Sequence, residues 1–274
     1  MALENNLLDS IHRVSLYLLL EFDRVCKENN LTYSLDSGTA LGAVRHGGFI
    51  PWDDDIDVGM PRKDYETFLR IAQDLLPSDI FVQTSHTEQN YKRNAAKLRL
   101  EGTLFPESDD VSYVHNGFFM DIFPFDNVPG NAIFARLYVS FSRFLFWIVR
   151  SWHSSKLSPS LFRRFFQSLV KRLPENRIAR IYDYYLSLCT KYQNTETGKV
   201  TSFFWRMSQN KTYVFDIDKL LPTRDIMFEG HSVKIMNSPD YYLTKMYGDY
   251  MTLPSEDKRH YHCKGLIDFG KYAE

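Results

Sequence analysis

The chain has 274 residues, 44% of them hydrophobic, and its 33 Lys and Arg nearly balance 34 Asp and Glu for a formal net charge of −1. That size and apolar content allow a sizeable core, in one large domain or one domain with a helical addition. The balance excludes a global electrostatic pull toward nucleic acid or membrane, so local charge must carry any such argument. Cys26, Cys189 and Cys263 are scattered and odd in number, which fits a reducing compartment and excludes a disulfide framework.

Glu4, Asp9, His12 and Arg13 interrupt the apolar run that a secretion signal needs, so an unsecreted, cytoplasmic protein is expected. Leu8, Ile11, Val14, Leu18, Phe22 and Val25 recur at three- and four-residue steps and predict an amphipathic helix ending at Asn29-Asn30. Leu31, Tyr33 and Leu35 then alternate as in a strand. Asp36-Ser37-Gly38-Thr39 forms a small-residue turn into a helix-compatible run from Ala40 to Arg45. A glycine at such a turn lets backbone N–H groups approach a phosphate, and the helix N-terminus favours its charge.

Next comes Asp53-Asp54-Asp55-Ile56-Asp57-Val58, where Ile56 and Val58 alternate with Asp55 and Asp57. A strand buried on one face would project Asp55 and Asp57 together from the other. Two such carboxylates repel unless a cation lies between them, and an oxygen-seeking divalent metal resolves the conflict. Three other readings compete. An EF-hand would place ligands at Asp53, Asp55 and Asp57, but its sixth residue should be Gly and is Val58, and its twelfth should be Glu and is Asp64. A solvated acidic turn does not need the interleaved apolar residues. A DxD glycosyltransferase also holds a nucleotide through a metal and remains open here.

A helix is expected from Arg62 to Leu76, ended by Pro77, followed by strands at Ile80–Gln83 and Ala95–Leu100. Lys97 and Arg99 share one face of the second strand, as phosphate ligands on an open sheet face or as solvated surface cations. Glu101 to Asn116 is a polar loop of a length that shapes substrate mouths. Within Gly117 to Asp126, Asp121 is a lone charge in an apolar strand and needs a cation or strong donors. Sharing the ion of Asp55 and Asp57 is the economical explanation, with a turn-capping carboxylate as the alternative.

Asn131 to Arg150 is almost filled by apolar side chains, with Arg136, Arg143 and Arg150 seven residues apart on one stripe. Arg143 would lie mid-bilayer in a span, so the helix either packs on protein or lies in a membrane interface. Basic residues continue through Lys156, Arg163, Arg164, Lys171, Arg172, Arg177 and Arg180, and Glu175 is the only acid between Gly130 and Ile181. Such a stretch, 131–180, suits peripheral contact with an anionic inner membrane face or a lipid-linked acceptor, or is an ordinary exposed basic face. Two further helices, Arg163–Leu173 and Ile178–Leu188, break at Pro174. Val214-Phe215 and Met227 to Met236 then suggest strands, with a turn at Glu229 to Ser232 and a helix from Pro239 to Tyr247 closed by Gly248. His260, His262 and Cys263 lack a fourth ligand for zinc and read as an exposed tail or as imidazoles near a phosphate.

The run Gly38-Thr39-Ala40-Leu41-Gly42-Ala43-Val44-Arg45-His46, with Gly48-Phe49-Ile50-Pro51-Trp52-Asp53-Asp54-Asp55-Ile56-Asp57, resembles the signature of LicD-type phosphotransferases, relatives of the fukutin-related ribitol-phosphate transferases. Asp121-Ile122-Phe123-Pro124 matches the segment supplying that family's third active-site carboxylate, and Tyr242 to Tyr250 resembles its C-terminal motif. The resemblance implies an α/β (α+β) nucleotidyltransferase-like fold, a mixed sheet flanked by helices with a helical insertion. The expected parts are a core at 1–130, an insertion at 131–195 and completing strands and helix at 196–274. It implies transfer of an alcohol phosphate, phosphocholine being the best known, from a CDP-activated donor to a sugar hydroxyl of a lipid-linked surface glycan such as a teichoic acid, lipopolysaccharide or capsule precursor.

On this reading Asp55, Asp57 and Asp121 hold Mg²⁺ (or Mn²⁺), with Asp53 assisting or binding a second ion, and Asp121 also stands to take the acceptor's proton. Gly38 and Thr39 seat phosphate. Arg45, His46, Lys97 and Arg99 line the substrate, and Trp52 stacks on a base or sugar or packs in the core. Nucleotidyl transfer and a non-catalytic glycan- or lipid-binding homologue are the rival readings.

Overall fold

The computed structural model describes residues 2–88, 91, 93–107, 114–154, 160–203, 213–256, 259, 263 and 265–273, with side chains from Leu7 onward. Helix α1 (Ala2–Glu28) buries Leu8, Ile11, Val14, Leu18, Leu19, Phe22 and Val25, the face its periodicity predicts. Phe22 meets Tyr33 and Phe68 edge-on, with centroids 5.0 and 4.8 Å away. The strand expected after it is brief: β1 covers only Ser34–Leu35.

Helix α2 (Ser37–His46) follows at once, then β2 (Asp57–Pro61), α3 (Arg62–Leu75), β3 (Ile80–Gln83), β4 (Ala96–Leu100) and β5 (Phe119–Asn127). The strands pair in the order β1-β2-β5-β4-β3. β2 and β5 are parallel, and the remaining pairs on that path are antiparallel, so the sheet is mixed as expected. One face carries Val58, Ile122, Ala96 and Leu98, all fully buried. Leu100 is covered too. A strand that is buried on both faces leaves no open side for its polar residues, and β4 is buried at every position. This first unit comprises Met1–Phe125 and Ile217–Glu274.

Its C-terminal part adds α7 (Ile217–Leu220), the hairpin β8 (Arg224–Phe228) and β9 (His231–Ile235), and α8 (Pro239–Tyr247). The turn falls at Glu229-Gly230, both at positive φ. Pro239 opens α8 and Gly248 closes it, as the sequence predicts.

The second unit is Asp126–Asp216. It contains α4 (Ala132–His153), α5 (Leu161–Val170) and α6 (Glu175–Thr190); α4 is capped by Asn131, whose side chain accepts from the Ile133 and Phe134 N–H groups. Asp126 and Asn127 pair with β6 (Lys199–Thr201), which pairs with β7 (Phe215–Asp216). β6 was not visible in the hydropathy pattern because three residues are too few to show a period. Val139 and Leu145 of α4 pack with Tyr185, Leu188 and Cys189 of α6, and Tyr138 Oη donates to the Leu188 carbonyl at 2.6 Å.

Candidate active site

Parallel pairing puts Asp57 directly opposite Asp121, and antiparallel pairing puts Asp121 opposite Lys97 and Lys97 opposite Gln83. Gln83, Lys97, Asp121 and Asp57 thus form one polar row across four strands. Side chains opposite each other in a sheet share a face about 5 Å apart, so these groups meet by register alone. Arg99, two residues along β4, shares that face; its Nε donates to Gln83 Oε1 at 2.9 Å.

The row is closely packed. Lys97 Nζ donates to Asp121 Oδ2 at 2.6 Å and to Glu107 Oε1 at 3.0 Å. Arg99 donates to Glu107 Oε2 at 2.6 Å and to the Gly117 carbonyl at 2.8 Å. Lys97 Nζ and Arg99 Cζ stand 3.6 and 4.7 Å from the Phe119 ring centroid. Lys97 and Arg99 are 0% and 2% exposed. Neither the open sheet face nor the solvated cations expected from the sequence is observed, because the polar loop supplies Glu107 as an anionic lid over both. Burial pulls the Lys97 pKa down against the opposing pull of Asp121 and Glu107. Burial works the other way on Glu107, but Lys97, Arg99 and Arg93 outweigh it and hold that carboxyl at about 2.

Asp57 sits at the start of β2, half-buried, and its backbone is clamped. Its N–H donates to Thr39 Oγ1 at 2.8 Å and its carbonyl accepts from the Asp36 N–H at 2.9 Å. Burial, then Asp55, Asp121, Asp36 and Asp53, raise its carboxyl well above the usual range. Asp55 precedes β2 and lies on irregular chain, so the expected shared strand face of Asp55 and Asp57 is replaced by the cross-strand pair Asp57 and Asp121.

Gly38, in the first turn of α2, is a place where a side chain does not fit: a Cβ there would lie 2.6 Å from Asp53 Oδ2. The Asp53 carboxylate thus rests against the N-terminus of α2, the position where an anion is favoured. Preceding it, Ser37 holds φ +46° and its N–H donates to Tyr242 Oη at 3.3 Å. Tyr242 Oη in turn donates to the fully buried Asp36.

Arg45, His46 and Trp52 form a separate cluster at the other end of α2, about 10 Å away at 1.5 Å per residue. Arg45 donates to the Tyr250 carbonyl at 2.7 Å and to His46 Nε2 at 3.0 Å. Burial, then Arg45, lowers the His46 pKa. Trp52 meets His46 edge-on and is covered on one face by Arg259, 4.2 Å from its centroid.

Sequence reasoning passed over Glu107, Asp36, Asp54 and Tyr247. Asp54 is buried and accepts from the Cys263 N–H at 2.9 Å. His260 and His262 lie outside the described residues. Tyr247 is 44% exposed as a residue, yet burial of its hydroxyl end, followed by Asp57, Asp36, Asp53 and Asp55, pushes its pKa well up. Its position inside the Tyr242–Tyr250 motif was the available signal.

Among the described residues, no three His, Cys, Asp or Glu side chains enclose an ion as they stand. The donor chemistry nonetheless suits a hard divalent cation. Asp121 Oδ1 is buried with no hydrogen-bond partner among the described residues, and Asp57 lies in the field of four neighbouring carboxylates. Asp57 and Asp121 are the pair that would hold it.

The family model described as LicD/FKTN/FKRP, nucleotidyltransferase domain, matches residues 30–176, more than half of the sequence. The chain belongs to the LicD family. The matched segment contains β2, β3, β4 and β5, the strands that build the polar row, together with α2. A lipopolysaccharide cholinephosphotransferase LicD of Haemophilus influenzae is 29% identical over 92% of this chain and 94% of its own length. Uncharacterized proteins of Rickettsia typhi and Rickettsia prowazekii are 46% and 48% identical over 21% and 19% of this LicD-family chain, covering 19% and 20% of their own lengths.

Proposed function

We propose that this chain transfers phosphocholine from CDP-choline to a sugar hydroxyl of a lipid-linked glycan, with lipopolysaccharide precursors as the acceptor class, in the cytoplasm at the inner membrane face. The observation that carries the reading is similarity to a cholinephosphotransferase along nearly the whole of both chains. The polar row supports it, because transfer between phosphate esters needs placed charge and a proton acceptor more than a covalent intermediate.

In the proposed step the acceptor oxygen attacks the phosphorus of the phosphocholine group. The bond from that phosphorus to the CMP oxygen breaks, and CMP leaves with the electron pair. Asp121 has one oxygen tied to Lys97 and one without a hydrogen bond among the described residues. The second oxygen has two lone pairs, one that would hold the ion beside Asp57 and one that is the candidate to accept the hydroxyl proton. A bound Mg²⁺ would neutralise diphosphate charge and offset the burial and acidic neighbours that raise the Asp57 carboxyl. Gly38 and the N-terminus of α2 offer the donor phosphate a seat once Asp53 turns aside, and Asp55 and Asp53 are the further candidate ligands on the chain entering β2.

Incubating the purified protein with CDP-choline, Mg²⁺ and a glycan acceptor should release CMP in step with phosphocholine incorporation. Release of pyrophosphate from a nucleoside triphosphate instead would replace the proposal with nucleotidyl transfer.

A further inference from the structure

Helix α5 is inside out. Leu161, Phe162, Phe165, Phe166 and Leu169 fall on one half of its circumference, a spacing that normally marks a core-facing stripe. Here they are 81, 72, 60, 41 and 41% exposed, and the residues turned inward are Gln167 and Val170. A water-soluble helix arranged this way exposes more apolar surface than scattered surface residues do.

The charge around it identifies the occupant. Arg163, Arg164, Lys171 and Arg172 are all exposed on α5 or directly after it, and Arg177 and Arg180 are exposed on α6. Glu175 is the only acid between Gly130 and Ile181. An apolar half bordered by arginines is the arrangement of a helix lying in the plane of an anionic bilayer, with Phe and Leu among the acyl chains and guanidinium groups at the phosphates. The first half of α4 repeats it, with Ile133, Phe134, Leu137, Phe141 and Phe144 between 47 and 70% exposed.

Although α4 is long and apolar enough to cross a membrane, its other face is occupied by α6 through Val139 and Leu145. Arg143 lies near its middle, partly buried, with its pKa lowered by that burial to about 10. These features favour lying along a surface over spanning it.

We propose that α5, flanked by its arginines, docks the protein in the interface of an anionic phospholipid membrane. α5 belongs to the second unit and the polar row to the first, and the docking does not depend on the transfer chemistry.

Flotation of the full chain with vesicles, without substrate, tests it. Binding is expected to vesicles of phosphatidylcholine with about 30 mol% phosphatidylglycerol, and not to pure phosphatidylcholine. Arg163→Gln with Arg164→Gln should weaken the partition about thirty-fold, since each basic residue at an anionic surface contributes about a factor of five. Phe162→Ser with Phe165→Ser should weaken it at least about tenfold while the thermal melt is retained, because both rings are already in water. Undiminished flotation of both variants, or none by the wild type, would overturn the proposal. So would a wild-type dimer in sedimentation that Phe162→Ser and Phe165→Ser convert to monomer, since a second copy would then cover the face.

Discussion

Lys97 Nζ lies 2.6 Å from Asp121 Oδ2 on the adjacent strand, and both side chains are buried. The ammonium holds one carboxylate oxygen and leaves the other, Oδ1, without a hydrogen bond among the described residues. An arrangement of this kind orients the carboxylate and keeps an oxygen available for chemistry. Lys97→Met should remove activity and, by stranding Asp121 and Glu107 without their ammonium, destabilise the fold by about 3–5 kcal/mol. Urea unfolding at neutral pH, run beside CMP release, measures both.

Asp57 yields a prediction of opposite sign for stability. Its folded pKa is raised by burial and by Asp55, Asp121, Asp36 and Asp53. A raised carboxyl contributes stability that is complete below its unfolded pKa and lost as pH rises through the folded one. With EDTA present, Asp57→Asn should therefore melt at or above the wild-type temperature at pH 7. The same variant should lower kcat by about 10²–10³. Scanning calorimetry with EDTA and with Mg²⁺ should show a metal-dependent rise in Tm for the wild type that the variant lacks.

Glu107 titrates the other way. Its folded carboxyl is held at about 2 against an ordinary 4.5. The corresponding stability is present above the unfolded value and is lost as pH falls toward about 2, a contribution of roughly 3 kcal/mol. The stability of Glu107→Gln should therefore fall less than that of the wild type between about pH 5 and 3. It should also start lower at pH 7, because Lys97 and Arg99 lose a shared counter-charge. Chemical denaturation across that pH range checks both.

Much of this was legible in the sequence. The apolar stripe of α1, the proline and glycine bounding α8, and the strand Ile80–Gln83 fall where pattern and turn chemistry place them. Asp57 and Asp121 could be singled out because each interrupts an apolar run. Their pairing could not, since register between strands separated by a helix and two further strands is set by packing of the whole sheet. The burial of Lys97 and Arg99 was hidden for a related reason: alternation shows that they share a face, and only the loop carrying Glu107 closes it. Asp36 read as a turn residue because its partner, Tyr242, is far along the chain.

Thr39→Val keeps the shape of the side chain and removes the acceptor for the Asp57 N–H. We expect a loss of about 1–3 kcal/mol and a drop in activity, both restored by Thr39→Ser. Recovery by serine separates the hydroxyl's clamping of Asp57 from simple packing.

Asp57 and Asp121 face each other across β2 and β5, and the proposed cation-assisted phosphocholine transfer rests on that pair. CMP release from CDP-choline, followed as Mg²⁺ is titrated into wild type, Asp57→Asn and Asp121→Asn, tests it most directly. Saturable, acceptor-dependent release is expected of the wild type, and at least about a hundredfold less of either variant. Release that is independent of Mg²⁺, or undiminished when both carboxylates are amidated, would contradict it.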